Sequence, residues 1–319
     1  MISWLRPVID RSLPPKIVVI CGPTGVGKTG FAITLAGRFN AEVVGADSMQ
    51  IYRHMDIGTA KPTAQEIASV PHHMVDIIDP DQDFDAAAYA QQAQACIDKL
   101  MSNNKLPLVV GGTGLYIKSL IYGLSKGAPA DAALRHRLQR ELERSGLAAM
   151  HGRLKQKDPE AARRIHPNDR YRIIRALEVF ILTGQSIFDH HESHGFRTPR
   201  YRALTLGLTM PRKQLYERIN RRVDVMIAQG LKDEVMGLID RGYRVQLKSM
   251  QSLGYRHMIA HLRDGVSWSQ TVETLKRDHR RYAKRQLTWF RADEDIHWLA
   301  PHQSEAAIEL IDEFLQTPL

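Results

Sequence analysis

Gly22-Pro-Thr-Gly-Val-Gly-Lys-Thr29 is the stretch on which the reading of the fold turns. It follows a short, β-branched run, Lys16 to Cys21 (KIVVIC), and leads into a helical pattern from Lys28 to about Phe39. Gly-x-x-x-x-Gly-Lys-Ser/Thr between a strand and a helix is the pattern of a phosphate-binding loop. Its glycines let backbone N–H groups turn inward around phosphate oxygens, and the helix N-terminus adds partial positive charge. On this reading Gly22, Thr24, Gly25, Val26, Gly27, Lys28 and Thr29 hold a di- or triphosphate. Lys28 supplies a point charge, and the Thr29 hydroxyl is a ligand for magnesium. A coincidental glycine-rich turn is the alternative, and the strand–loop–helix context argues against it.

Working outward, Ala41 to Ala46 reads as a second short strand ending at Asp47, and residues 85–103 are helical in period. Leu106 to Val110 is a third apolar strand. Strand, helix, strand, helix, strand predicts a doubly wound α/β fold: a P-loop NTPase-like core with a parallel sheet flanked by helices. After residue 125 the texture changes. Segments 131–145, 159–165 and 169–184 are helical and arginine-rich with no strand between them, and 189–200 is a polar loop. A strand returns at Ala203 to Leu208, followed by charged helices to about 291. The expected organisation is a core made of 1–125 and 201–319, interrupted by a small all-helical insertion at 126–200.

Composition limits the function classes. The 319 residues are 43% hydrophobic and 25% charged, ordinary for a soluble domain with a sizeable core. Cys21 and Cys96 offer neither a disulfide framework nor metal-ligand spacing, which fits a reducing compartment. Arg6, Asp10 and Arg11 interrupt any leader-like stretch. The longest strongly apolar run, Ile17 to Cys21, is far below the roughly 20 residues that span a bilayer. A cytoplasmic protein with no membrane partner is expected. His190, His191 and His194, like His72 and His73, lack the carboxylate or cysteine partners of a metal site.

The net charge of +9 is unevenly placed. Residues 1–125 hold 10 Lys/Arg against 11 Asp/Glu, and residues 126–319 hold 34 against 24. A basic half beside a neutral one suggests a polyanionic partner, although a solvated arginine-rich surface gives the same count. The segment 276–291 (KRDHRRYAKRQLTWFR) carries seven Lys/Arg with Tyr282, Trp289 and Phe290 among them. Its aromatics read as core-facing and its basic face as a surface for RNA phosphates.

Many phosphate-loop NTPases end a later strand in a metal-holding Asp. Here LPLVV runs into Gly111-Gly-Thr-Gly-Leu-Tyr116, and the carboxylate at a strand end is Asp47, facing the loop crevice. The machinery beside the loop is not that of a typical ATPase.

Asp47-Ser-Met-Gln-Ile-Tyr52, Asp56 through Pro62 (DIGTAKP), GGTGLY at 111–116 and QSLGYR at 251–256 together resemble the tRNA dimethylallyltransferase family, bacterial type. HPND at 166–169, RALEV at 175–179 and YAKRQLTWFR at 282–291 share the resemblance, which runs from about residue 16 to about 291. It implies transfer of a dimethylallyl group from dimethylallyl diphosphate to the exocyclic amine of the adenosine 3′ of the anticodon. The tRNAs concerned read codons starting with U. Asp47 is then the candidate general base, Thr113 a hydroxyl that positions the amine or orients Asp47, and Arg222 a diphosphate contact. Arg218 and Arg221 compete for that last role, and a helix N-cap is the alternative for Asp47. The resemblance puts Asp47, Ser48, Met49, Gln50 and Thr113 against the target nucleotide. It puts Arg135, Tyr171, Arg172, Ile173, Ile174, Arg175, Gln251, Arg281 and Arg285 against the tRNA anticodon stem-loop. The target base has to leave its stack to reach Asp47, so a channel with two mouths is expected. A monomer suffices. The competing readings are an isopentenyltransferase acting on free adenylate, which leaves the basic half unexplained, and a phosphate-loop kinase, which lacks its carboxylate.

Overall fold

The computed structural model describes residues 14–123, 131–189 and 199–317. The charged residues ahead of 14, the three histidines at 190, 191 and 194, and most of the 189–200 stretch lie outside the described residues.

β1 (Lys16–Cys21) is the hub of the sheet, and Ile17 to Cys21 are all fully buried. Successive side chains point to opposite faces, so a run with no polar alternation needs cover on both sides. Val18 and Ile20 pack on Phe31, Ala32 and Leu35 of α1 (Lys28–Phe39). The chain continues through β2 (Ala41–Gly45), α2 (Ala64–Ser69), β3 (His72–His73), α3 (Ala86–Ser102), β4 (Leu106–Gly111) and α4 (Gly114–Tyr122). After the insertion come β5 (Arg202–Leu208), then α8 (Arg212–Ala228), α9 (Leu231–Asp240), α10 (Tyr255–Arg263) and α11 (Trp268–Phe290). β6 (His297–Leu299) and α12 (Ser304–Gln316) close the described chain. The sheet order is β3-β2-β4-β1-β5-β6, every pair parallel. β3 and β6, two and three residues long, are edge strands too short to show a period in sequence. In β3, the His73 ring meets the Glu42 carboxylate at 2.7 Å, an ordinary pairing.

The topology sets the position of the site. β1, β2 and β4 are neighbours, so the loops leaving their carboxyl ends converge. Those loops carry the phosphate-loop motif, Asp47 and Gly112-Thr113-Gly114. No helix among the described residues is long and apolar enough to cross a membrane.

The chain divides into two compact units, Met1–Ile121 with Pro199–Leu319, and Tyr122–Thr198. The second contains α5 (Ala132–Lys157), interrupted at Gly146 (φ 79°), α6 (Pro159–Arg164) and α7 (Arg170–Thr183). Leu138, Leu142, Met150, Leu154, Ile173 and Leu177 build its core. Two of the expected RNA contacts belong to this core. The side chains of Ile173 and Ile174 are 0% and 5% exposed, filling that core as the apolar stripe of an amphipathic helix. Their neighbour Tyr171 is 78% exposed and Arg172 also faces solvent.

Glu178, fully buried in the same unit, accepts hydrogen bonds from Arg175 (2.7 Å), Arg135 (3.1 Å) and the Asp131 backbone N–H (3.0 Å). Arg135 and Arg175 therefore hold this unit together as well as adding positive charge. Burial pushes the Glu178 carboxyl upward, and these donors outweigh it to leave the group below its ordinary value. A depressed carboxylate contributes stability above the unfolded pKa, about 4.3, and loses it as pH falls through the folded value. Glu178→Gln is expected to lower the Tm at pH 7 and to flatten its decline below about pH 4.5, as read by thermal melts across pH. An unchanged acid limb would mean that the triad carries no such stability.

Candidate active site

A cleft of about 1150 Å³ opens at the carboxyl ends of the strands, lined entirely by residues of the first unit. One wall is the phosphate loop, from which Thr24, Gly25, Gly27, Lys28 and Thr29 face the space. Gly22 and Val26 shape the loop from behind. Gly22 has φ 141°, and a Cβ there would stand 2.7 Å from the Leu208 carbonyl oxygen, so no other residue fits. Val26 is fully buried. Gly27 caps α1 without a side-chain hydrogen bond, which leaves first-turn N–H groups to an anion. The Lys28 ammonium donates to the Gly22 and Pro23 carbonyls at 3.0 and 2.9 Å. Burial pushes its pKa down to about 8, against the pull of nearby Asp47 and with the push of Arg222.

Asp47 stands across the cleft, just past β2. Its Oδ1 accepts from the N–H groups of Met49 (2.8 Å) and Gln50 (3.4 Å). It caps a turn, not an α-helix, and Oδ2 takes neither bond. Thr113 secures that turn from below. Its N–H donates to the Ala46 carbonyl (3.1 Å), and its Oγ1 accepts from the Ser48 N–H (3.0 Å). Thr113 thus bonds to the residues on either side of Asp47. Asp47, Ser48, Met49 and Gln50 all line the cleft. The Gln50 amide donates to the Thr59 and Ala60 carbonyls at 3.2 and 3.0 Å, which ties the turn to the 56–60 loop.

α8 brings Arg218, Arg221 and Arg222 to the cleft together. The Arg218 guanidinium lies against Gly27, and the Arg222 Nε is buried with no hydrogen-bond partner. Burial lowers the Arg222 pKa, and Asp47 counteracts it. With Lys28 these arginines form a cationic wall in the cleft that also holds Asp47, which suits an anion whose charge grows as it leaves. Gln251 and Arg285 also line the cleft, whereas the exposed Arg281 on α11 pairs with Asp278 at 3.5 Å.

Several residues at work here escaped the sequence reading. Glu234 accepts the backbone N–H groups of Asp56 (2.8 Å), Ile57 (2.7 Å) and Gly58 (3.1 Å) and the Tyr255 hydroxyl (2.6 Å). It fixes the 56–60 loop from 176 or more positions away, a separation that carries no local signal. Gln286 is 6% exposed, and His279, 5% exposed, has both ring nitrogens unpartnered. Both sit on the buried stripe Leu275, His279, Ala283, Gln286, Phe290 of α11. Polar residues at core-facing positions of an amphipathic helix were the available clue. The α11 aromatics divide three ways: Phe290 is buried, Tyr282 lines the cleft, and Trp289 is 45% exposed with its indole Nε1 against Gly114.

Residues 50–293 match the IPP transferase family, a span that includes most of the cleft and the whole insertion. The chain belongs to the IPP transferase family. The tRNA dimethylallyltransferase of Desulfosudis oleivorans is 54% identical over 285 residues, covering 89% of this chain and 91% of its own. A crystal structure of the tRNA isopentenylpyrophosphate transferase of Bacillus halodurans is similar with a TM-score of 0.69. It is 44% identical and covers 94% of this chain and 95% of its own. A eukaryotic dimethylallyltransferase acting on tRNA, 27% identical, matches with a TM-score of 0.79 over 96% of this chain and 80% of its own.

Proposed function

We propose that this IPP transferase moves a dimethylallyl group from dimethylallyl diphosphate to tRNA. The acceptor is the exocyclic amine of the adenosine 3′ of the anticodon, in tRNAs that read codons starting with U. The observation that carries this reading is the pairing of a phosphate loop and Asp47 across one cleft, with α8 arginines beside them. The adenine amine is a weak nucleophile because its lone pair is delocalised into the ring. As the new N–C bond forms, the allylic C–O bond breaks and diphosphate leaves with the electron pair. The amine proton passes to Asp47, held at the reacting face by its turn. Thr113 keeps that turn in place, and Gln50 anchors it to the 56–60 loop. Lys28, the loop N–H groups and an α8 arginine receive the charge that develops on the diphosphate.

Thr29 lines the cleft, and its hydroxyl oxygen is a hard donor of the kind magnesium accepts alongside phosphate oxygens and water. When bound there, magnesium supplies charge neutralisation to the diphosphate. Among the described residues no His/Cys/Asp/Glu group of three or more could hold a metal by itself.

RNA is held by the insertion and by the basic face of α11. Tyr171 and Arg172 are exposed at the start of α7, with a base-stacking ring beside a phosphate-seeking guanidinium. Arg172→Ala is expected to weaken tRNA binding and to reduce the slope of log K against log salt by about one. Filter-binding titrations at several salt concentrations read this, and an unchanged slope would remove Arg172 from the phosphate contacts. A monomer suffices for this mechanism, and the tRNA substrate supports a cytoplasmic location.

The direct test is transfer of label from dimethylallyl diphosphate, radiolabelled in its dimethylallyl group, to unmodified tRNA with magnesium, with an ATP-hydrolysis assay alongside. Label in tRNA without ATP turnover is expected. ATP turnover without label would overturn the reading in favour of a phosphate-loop kinase or NTPase.

A further inference from the structure

β1 and β4 pair in register as far as Cys21↔Gly111, and there the ladder ends. Beyond it the two chains part, one into the phosphate loop and the other towards Thr113. Gln286 spans this gap. Its Oε1 accepts from the Thr24 backbone N–H at 2.9 Å, and its Nε2 donates to the Gly112 carbonyl at 2.9 Å. The orientation of the amide is fixed by its partners, since a backbone N–H needs an oxygen and a carbonyl needs an N–H. Gly112 is shaped for it: a Cβ there would lie 2.2 Å from the Gln286 nitrogen.

A buried amide is costly on the core-facing side of a helix, and a residue of similar volume such as methionine would pack without that cost. The amide must therefore do something that packing does not. Following the bonds outward from it, Thr24 belongs to the loop that faces the anion, and Gly112 precedes Thr113. Thr113 accepts from the Ser48 N–H, and Ser48 follows Asp47. One side chain thus joins the diphosphate wall to the turn that holds the general base.

We infer that Gln286 is a positioning residue that couples occupancy of the phosphate loop to the placement of Asp47. This rests on the transferase reading above. Diphosphate in the loop fixes Thr24, and Gln286 transmits that fixed position to Gly112-Thr113 and so to the Asp47 turn. Displacement of a catalytic group by about 1 Å can cost about 10²-fold in rate.

The test is a double-mutant cycle of Gln286→Met with Asp47→Asn, following kcat for label transfer, with inorganic diphosphate binding measured by calorimetry. In the wild-type background Gln286→Met is expected to lower kcat about 10–100-fold and to weaken inorganic diphosphate about tenfold, roughly one hydrogen bond. In the Asp47→Asn background its effect on kcat is expected to shrink to about threefold or less, because there is no base left to place. The same loss in both backgrounds, or no loss in either, would overturn the coupling. Gln286→Glu gives an independent reading. Protonated, the new carboxyl reproduces one donor and one acceptor; ionised, it opposes the Gly112 carbonyl. The ratio of variant to wild-type activity is expected to rise as pH is lowered, and a flat ratio counts against the proposal. If wild type itself transfers no label, it is the transferase reading that has failed, and the diphosphate titrations still report on the Gln286 link to Thr24.

Discussion

Asp47→Asn is expected to lower kcat for dimethylallyl transfer by about 10²–10⁴, the usual weight of a general base, while leaving the binding of dimethylallyl diphosphate and tRNA nearly intact. The substitution is clean for a structural reason. The bonds at Oδ1, from the Met49 and Gln50 N–H groups, need only an acceptor, and an asparagine carbonyl oxygen supplies one. The turn survives and only the basicity is lost. Single-turnover kinetics with saturating substrates separate this from a binding defect. A raised KM with unchanged kcat would instead make Asp47 a residue that orients the nucleotide.

Glu234→Ala is expected to cost about 3–5 kcal/mol of stability at the 56–60 loop and to reduce kcat/KM for tRNA more than for the diphosphate donor. Its carboxylate holds three consecutive backbone N–H groups and a buried tyrosine hydroxyl, all charge-assisted bonds. Removing it orphans four donors at once. Gly58 is packed so closely on Tyr255 that a Cβ would meet the ring at 2.5 Å, so the loop has no second way to settle there. Once it loosens, the Thr59 and Ala60 carbonyls no longer hold Gln50, and the Asp47 turn loses its outer anchor. Hydrogen exchange of residues 56–60 reads the loop directly. Protection equal to wild type would show that the loop is held by other means.

These two residues mark the boundary of what the sequence discloses. Asp47 was legible because the relevant distances are short in sequence: a strand, its last residue, and a carboxylate at the end that faces a phosphate loop. The phosphate loop itself is contiguous, so eight residues specify its turn, its N–H groups and its lysine together. The arginines of α8 were visible as a group, but only the fold shows that Arg218, Arg221 and Arg222 all reach the cleft. Glu234 gave no sign, because three of its four partners are backbone N–H groups, which have no sequence identity, and the fourth, the Tyr255 hydroxyl, lies 21 positions away.

The insertion marks a second limit. The resemblance places Tyr171 to Arg175 together against the tRNA, and a helix turns successive residues about its axis. Ile173 and Ile174 went inward, and Arg175 was drawn onto the buried Glu178. In α11 the aromatics were expected to share one fate, and Trp289 instead stayed on the surface beside Gly114.

What the sequence by itself determined is therefore local: strand and helix periods, the phosphate loop, the strand-end carboxylate, and the family. Each of these rests on motifs whose residues lie within a few positions of one another, where spacing translates directly into geometry; the family rests on several such motifs spread along the chain. The tertiary structure alone decided which distant side chains complete the site. Gln286 meets Thr24 across 262 positions, and Glu234 meets Ile57 across 177. Contacts of that kind depend on strand order and helix packing, which are set by the burial of the whole core and not by any local pattern.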